Sequence, residues 1–440
     1  MLPLPAVAAG NVELDDEPRE LADLPERPRP IIELGDLYLA PSALQEGWEL
    51  PTGAVWTPSI LVWGTARSGL QAEWGKARPN DVAQWANRSE LWGQLALTAT
   101  ERVVVGFEPL SEDNDFTGYQ FGVDGADADF EGGLDGELEA LYFEGDVGEL
   151  FPKWDAESGV PLDLGFVVGR APFTYQDGFL IDDRMTAVGL VQNSILATST
   201  SNLRASFLAA WNDVHRGGNN RDGDDTLLTG LFFELDRPQT TWALDLAYAE
   251  GQDDTNGWYG GISAIRRIQD RWNLTLRVLG SHADHRNDIE VGRGVLGVIG
   301  FSFSPRRTHD VAYLNLAASA DRYTPAARGP ARGGPLGRIG ILFEAPGLGT
   351  IGAPLNNDGN RALAGALGYQ KFLFGGRTQI VLEVAGRLQS NDRRTQAGGG
   401  GLRIQQALGR RFILRLDLYG IARTHQRDFM GGRSELVVKF

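Results

Sequence analysis

Cysteine is absent from the 440 residues, which excludes a disulfide framework, a thiolate metal site and a cysteine nucleophile. No run approaches the roughly 18 apolar residues that a membrane-spanning helix needs, and mean hydropathy is −0.23. Positive charge is short as well, with a formal net charge of −17. A nucleic-acid binder needs a basic face to displace counterions from phosphate, so nucleic acid is not an expected partner. Lysine occurs only as Lys76, Lys153, Lys371 and Lys439 among 41 basic residues, the rest being arginine. Genome composition explains such a bias, and so does a use for the planar guanidinium fork on carboxylate or phosphate. Catalytic signatures are missing too. There is no Gly-x-Ser-x-Gly elbow, and the glycine run at 398–401 lacks the lysine and helix of a phosphate loop. No two carboxylates are placed together for acid–base work. His282 and His285 sit three apart at a strand end, on opposite faces, which suits no shared metal. No catalytic residue, metal or cofactor is expected, and the chain does not read as an enzyme.

What is present is glycine, 57 residues of it, and alternation. Trp242, Leu244, Leu246 and Tyr248 oppose Thr241, Ala243, Asp245 and Ala247. Phe412, Leu414, Leu416 and Leu418 oppose Arg411, Arg415, Asp417 and Tyr419, and Ile380, Leu382, Val384 and Leu388 oppose Glu383, Arg387 and Gln389. A period of two means strands with one apolar and one polar face. The final stretch, Gly431-Gly-Arg-Ser-Glu-Leu-Val-Val-Lys-Phe440, alternates likewise and stops on an aromatic. It resembles the closing strand of Gram-negative outer-membrane β-barrels, in which the C-terminal aromatic is the signature read by the barrel-assembly machinery. That resemblance makes Phe440 the expected contact with the assembly machinery.

The connections sort into two kinds that take turns. Short ones fall at 99–101, 236–239, 269–271, 305–308, 375–377 and 409–410; longer polar ones fall at 215–225, 251–256, 285–288, 322–360, 390–396 and 424–429. Long-short-long-short is the pattern of a barrel with short periplasmic turns and long external loops. Counting back from Phe440 gives about eighteen strands between 58 and 440, with sixteen open as an alternative because 110–160 is hard to parse. Periodicity does not say whether the apolar face points in or out, but an eighteen-stranded closed sheet is too wide for its side chains to fill, so its inner face is wet. The expected fold is all-β, a single transmembrane antiparallel β-barrel over residues 57–440. Residues 1–10, with Ala6-Val7-Ala8, look like the tail of a secretory signal, and 11–56 read as an acidic, proline-rich leader in the periplasm or lumen. Two segments, 111–133 and 323–360, are too long for plain loops, and one of them is expected to fold inward.

The polar face then lines a lumen. Its cations are Arg170, Arg204, Arg277, Arg387, Arg403, Arg411, Arg415, Arg423 and Arg433, and its carboxylates include Asp245, Glu383 and Asp417. A net basic lumen favours anions, unless each arginine only braces a neighbouring carboxylate. Residues 168–190, with Gly169-Arg170 and Asp182-Asp183, are similar to a strand-loop-strand of alginate-export-type outer-membrane channels, which implies an eighteen-stranded, arginine-lined barrel with Arg170 as a lumen cation. The expected function is an outer-membrane channel for passive diffusion of small or extended polar solutes, anions favoured. The alternatives are a soluble or surface glycan-binding β-protein and an outer-membrane hydrolase. Expected partners are outer-membrane lipid and lipopolysaccharide. Arg221-Asp-Gly-Asp-Asp225 lacks the spaced ligands of a calcium loop and reads as solvated, with divalent bridging to lipopolysaccharide as its alternative.

Overall fold

The computed structural model describes residues 28–35, 47–75, 81–98, 100–112, 115–122, 128–154, 162–195, 201–216, 226–251, 255–269, 271–285, 290–343, 348–390 and 396–440. The signal-like start, most of the leader and Arg221–Asp225 lie outside these residues.

Eighteen antiparallel strands make the wall. They are β1 (Ser59–Trp74), β2 (Val82–Ala96), β3 (Arg102–Phe107), β4 (Leu138–Asp146), β5 (Leu164–Tyr175) and β6 (Ile181–Gln192). Next come β7 (Asn202–Asn212), β8 (Leu227–Arg237), β9 (Thr240–Glu250), β10 (Gly257–Ile268), β11 (Trp272–Ala283) and β12 (Gly294–Phe303). The last six are β13 (Val311–Asp321), β14 (Ala362–Leu373), β15 (Thr378–Gln389), β16 (Ala397–Leu408), β17 (Phe412–Arg423) and β18 (Phe429–Lys439). Each pairs with the next, and β18 returns to β1 from Met430↔Trp74 to Lys439↔Thr65, so the sheet closes. Phe440 finishes the seam. Its backbone exchanges hydrogen bonds of 2.7 and 3.0 Å with Gly64, and its ring fills the place a Cβ on Gly64 would take.

Alternation sets which way each side chain points. Leu244 is 57% exposed and Leu418 63%, while Asp245 and Asp417 on the opposite faces are 5% and 2% exposed. Leu246, Leu382, Val384, Leu388 and Leu416 join the outward set, with Trp74, Trp211, Trp242, Trp258 and Phe412 near strand ends. An outward apolar band bounded by aromatics is the surface a barrel presents to lipid, where closure satisfies every backbone group. The chain is thus a barrel of the outer-membrane type.

Both long segments depart from plain loops, in different ways. Within 111–133, Asp115–Phe121 pairs with the upper half of β2 (Ala83↔Phe121 to Asn87↔Thr117), whereas β3 pairs with its lower half, so this segment extends the wall. Segment 323–360 goes inward. Ala327–Arg328 adds in parallel to Ile181 and Asp182, followed by the turns Pro330–Arg332 and Pro335–Ile339. The strands β5 and β6 are joined only by the tip at 176–180, where Gln176 and Asp177 take positive φ. That tip and the inward segment share one apolar cluster that includes Phe179, Leu180, Tyr259, Leu279, Leu336 and Phe343. Wall side chains alone could not fill so wide a lumen. Folded-in backbone fills one side, each buried Leu or Phe adding roughly 1.5–3 kcal/mol.

Candidate functional site: a half-filled lumen

On the filled side, wall charges hold the inward chain. Glu383 accepts the N–H groups of Ile341, Leu342 and Phe343 at 2.6, 3.0 and 3.3 Å and the Tyr313 hydroxyl, and a Cβ on Gly340 would strike its carboxylate. Arg387 donates to the carbonyls of Leu336 (2.8 Å), Asn356 (3.2 Å) and Gly386 (3.1 Å). Arg277 donates to Gln176 at 2.9 Å and to Asp177, and Gln176 donates on to Asp245 at 2.7 Å. From the segment itself, Arg328 donates to the carbonyls of Gly178, Arg332 and Gly333, and Arg338 pairs with Asp182. Burial lowers the Arg328 guanidinium to about 10, against the opposing pull of Asp182. Burial also pushes the Tyr323 hydroxyl up, keeping it a donor to the Phe179 carbonyl at 2.8 Å.

The wall β16–β17–β18–β1–β2 is covered at its long-loop end, where Leu348 packs on Ala86, Thr350 donates to Gln84 and Phe343 meets the Tyr419 ring, and is barer toward the short turns. Asp417 takes two arginines, Arg403 at 2.8 and 3.0 Å and Arg433 at 2.6 and 3.0 Å. Glu435 takes Arg67 at 2.7 Å and Arg415 at 3.4 Å. Arg67 and Arg415 keep 35% and 23% of their side-chain surface exposed. Arg67 is paired directly with Arg88 across β1 and β2, and the Arg88 Nε has no hydrogen-bond partner. By strand parity the inner face of these five strands carries Arg67, Arg88, Arg403, Arg415, Arg423, Arg433 and Lys439 against Glu73, Glu90, Asp417 and Glu435. Cations outnumber carboxylates there, in a chain that is acidic overall. Nearby, Arg184 bonds Glu108 and, at 3.1 Å, Glu139, with its guanidinium 5.7 Å from the centre of the Trp92 ring.

The sequence-derived set therefore divides. Arg403, Arg415, Arg433 and Asp417 come together on the barer wall. Arg277, Arg387, Asp245 and Glu383 are on inner faces but lie under folded-in chain, at 5% exposure or less. Arg204, near the short-turn end, pairs with Glu234 at 3.2 Å, and Arg411 lies in the turn before β17, 3.5 Å from the Arg29 carbonyl. Arg423, at the other end, donates to the Arg427 carbonyl and stands over the Phe429 ring. Arg170 shares a row with exposed Val168, donates to the Leu138 carbonyl at 3.0 Å and lies 3.7 Å from Glu139 and from Asp213. Arg67, Arg88 and Arg184 were missed by the sequence reading. Small residues around Arg67 (Thr65, Ala66, Ser68, Gly69) blur its strand's alternation, and only its place opposite Val437, diagonal to Glu435, would have exposed it. Among the described residues no group of three or more His, Asp or Glu gathers to hold a metal.

No family model and no curated protein matches the sequence. Solved structures do match in shape. OccK11 (OpdR) of Pseudomonas aeruginosa is similar with a TM-score of 0.55 at 10% identity, covering 87% of this chain and 96% of that one. OpdK of Pseudomonas aeruginosa, solved with vanillate, gives 0.54 at 13% identity over 87% and 98%. OccAB2 of Acinetobacter baumannii gives 0.53 at 11% identity, again over 87% and 98%. These likenesses support the porin-type, eighteen-stranded barrel and lend nothing to the alginate-export resemblance of residues 168–190; the fold this chain shares is that of outer-membrane porins.

Proposed function

We propose that the barrel is a passive outer-membrane channel for small polar solutes, and that it favours anions. The observation that carries this is the barer part of the wall, where arginines outnumber carboxylates along five neighbouring strands while the inward segment fills much of the rest of the lumen. A solute is confined between filling and wall, so it passes within reach of Arg67 and Arg415. Several weak sites in a row allow entry without trapping, and the inward segment sets the size limit. The vanillate found with OpdK is an aromatic carboxylate, and a small organic anion of that kind fits the same reading here. Phe440, with its ring set on Gly64, is the end we expect the assembly machinery to read, and the outward band meets outer-membrane lipid and lipopolysaccharide.

The test is reversal potential in a planar bilayer under a potassium chloride gradient. Chloride preference is the expected result. Cation preference would remove the anion proposal while leaving the channel intact, and no conductance at all would remove the channel.

A further inference from the structure

The closing seam has an edge that β18 does not cover. β1 begins at Ser59, but its pairing with β18 ends at Thr65, beyond which Phe440 exchanges hydrogen bonds with Gly64. On its other side β1 is paired with β2 down to Ser59↔Ala96. The remaining edge of residues 59–63 would stand bare at the short-turn end of the wall, and backbone groups left unpaired in lipid are strongly disfavoured because no water is there to bond them. Leader residues fill the gap. Ile32–Leu34 pairs antiparallel with Ile60–Val62, and the Ile31 N–H donates to the Val62 carbonyl at 2.8 Å.

Pairing fixes the faces, because directly opposed residues lie on the same side of a sheet. Ile32 lies with Val62 and Leu34 with Ile60, on the row that continues to outward Leu70 and Trp74; Glu33 lies with Leu61 on the inner side. Ile32 and Leu34 are nevertheless 42% and 60% exposed, beside Ile60 at 42%. We propose that Ile32–Leu34 is a partial nineteenth strand of the membrane wall, whose Ile32 and Leu34 are seated in phospholipid at the short-turn end. The argument is continuity: the apolar row it extends is already the lipid-facing surface of the barrel. It rests on the barrel lying in a membrane.

The absence of native cysteine makes the test direct. Ile32→Cys, Glu33→Cys, Leu34→Cys and, as a belt control, Leu244→Cys are each labelled with a nitrobenzoxadiazole fluorophore. The full chain is then reconstituted in phosphatidylcholine vesicles carrying doxyl-labelled lipid. Labels at 32 and 34 are expected to be quenched at least about twofold more than the label at 33, following the alternation of a lipid-facing strand. Equal quenching at all three positions, or quenching at 244 with none at 32 and 34, would overturn the proposal. Absence of quenching at 244 would instead overturn the membrane reading beneath it. Independently, a Leu34→Cys, Ile60→Cys pair should form a disulfide in vesicles, and its failure to form would remove the strand pairing.

Discussion

On the filled side of the lumen Arg277, Arg328 and Arg387 point into folded chain, and Arg328 and Arg387 bond to carbonyls. On the barer side Arg403, Arg415, Arg433 and Arg67 share Asp417 and Glu435, and Arg67 and Arg415 keep surface toward the lumen. The residue type is the same and so is the strand register that aims it. What differs is cover. A guanidinium under chain is a strut that supplies donors to backbone oxygens, and its charge is out of reach of a solute. An arginine that shares one carboxylate with a second arginine keeps surface and unbalanced charge. The number of lumen arginines is therefore a poor guide to pore chemistry, and their position relative to residues 323–360 is a good one.

The largest effect tests whether the filled side depends on its wall charge. Glu383→Ala leaves three buried N–H groups of 341–343 without an acceptor, a loss of roughly 3 kcal/mol or more for the docked segment. The segment should leave the lumen, raising single-channel conductance by about twofold or more while the wall stays closed. Conductance equal to that of the parent chain would mean the apolar cluster alone holds the segment, and the contrast between struts and open arginines would lose its cause.

Next in size is the wall itself. Arg67→Gln combined with Arg415→Gln removes the two more exposed cations and should cut the anion-over-cation permeability ratio by roughly threefold. Conversely, Asp417→Asn should raise anion preference, since it removes a carboxylate between Arg403 and Arg433, and should weaken the barrel by about 1–3 kcal/mol. Asp245→Asn is its counterpart on the filled side. It also weakens a buried bond, from Gln176, by replacing a carboxylate acceptor with an amide oxygen, yet it should leave reversal potential unchanged. A selectivity shift from Asp245→Asn as large as that from Asp417→Asn would show that cover does not screen the filled side.

Much of this architecture was legible in the residues. Period-two alternation in stretches such as 241–248 and 412–419 is enforced by lipid on one face and water on the other, so a closed barrel could be read from sequence, while 110–160 left its strand number between sixteen and eighteen. Segment 323–360 was legible as too long, but not as a filling. Its buried residues Leu336, Ile339, Leu342 and Phe343 follow no period, because they pack against a curved inner wall rather than along a strand. For the same reason Arg387 and Arg403 look alike in sequence, each an inward position on a neighbouring strand. Only the landing point of the segment separates them. The tip at 176–180 hid its role similarly, since Gln176 bridges Asp245 and Arg277 across a distance in sequence that no spacing rule relates.

The smallest effect calibrates the others. Arg204 is neither covered nor part of the barer wall; it sits near the short-turn end, 44% exposed at its side chain, with Glu234 as partner at 3.2 Å. An exposed pair of this kind is worth less than about 1 kcal/mol, because water and salt screen it. Arg204→Gln should thus leave stability nearly unchanged and move the reversal potential far less than Arg415→Gln does, the more so at high salt. The comparison matters because both substitutions remove one positive charge from the lumen side of the sheet. If selectivity came from net charge alone, the two would act equally. A smaller response at 204 than at 415 is expected if solutes are read along the confined wall, where filling on one side brings them close to the arginines on the other.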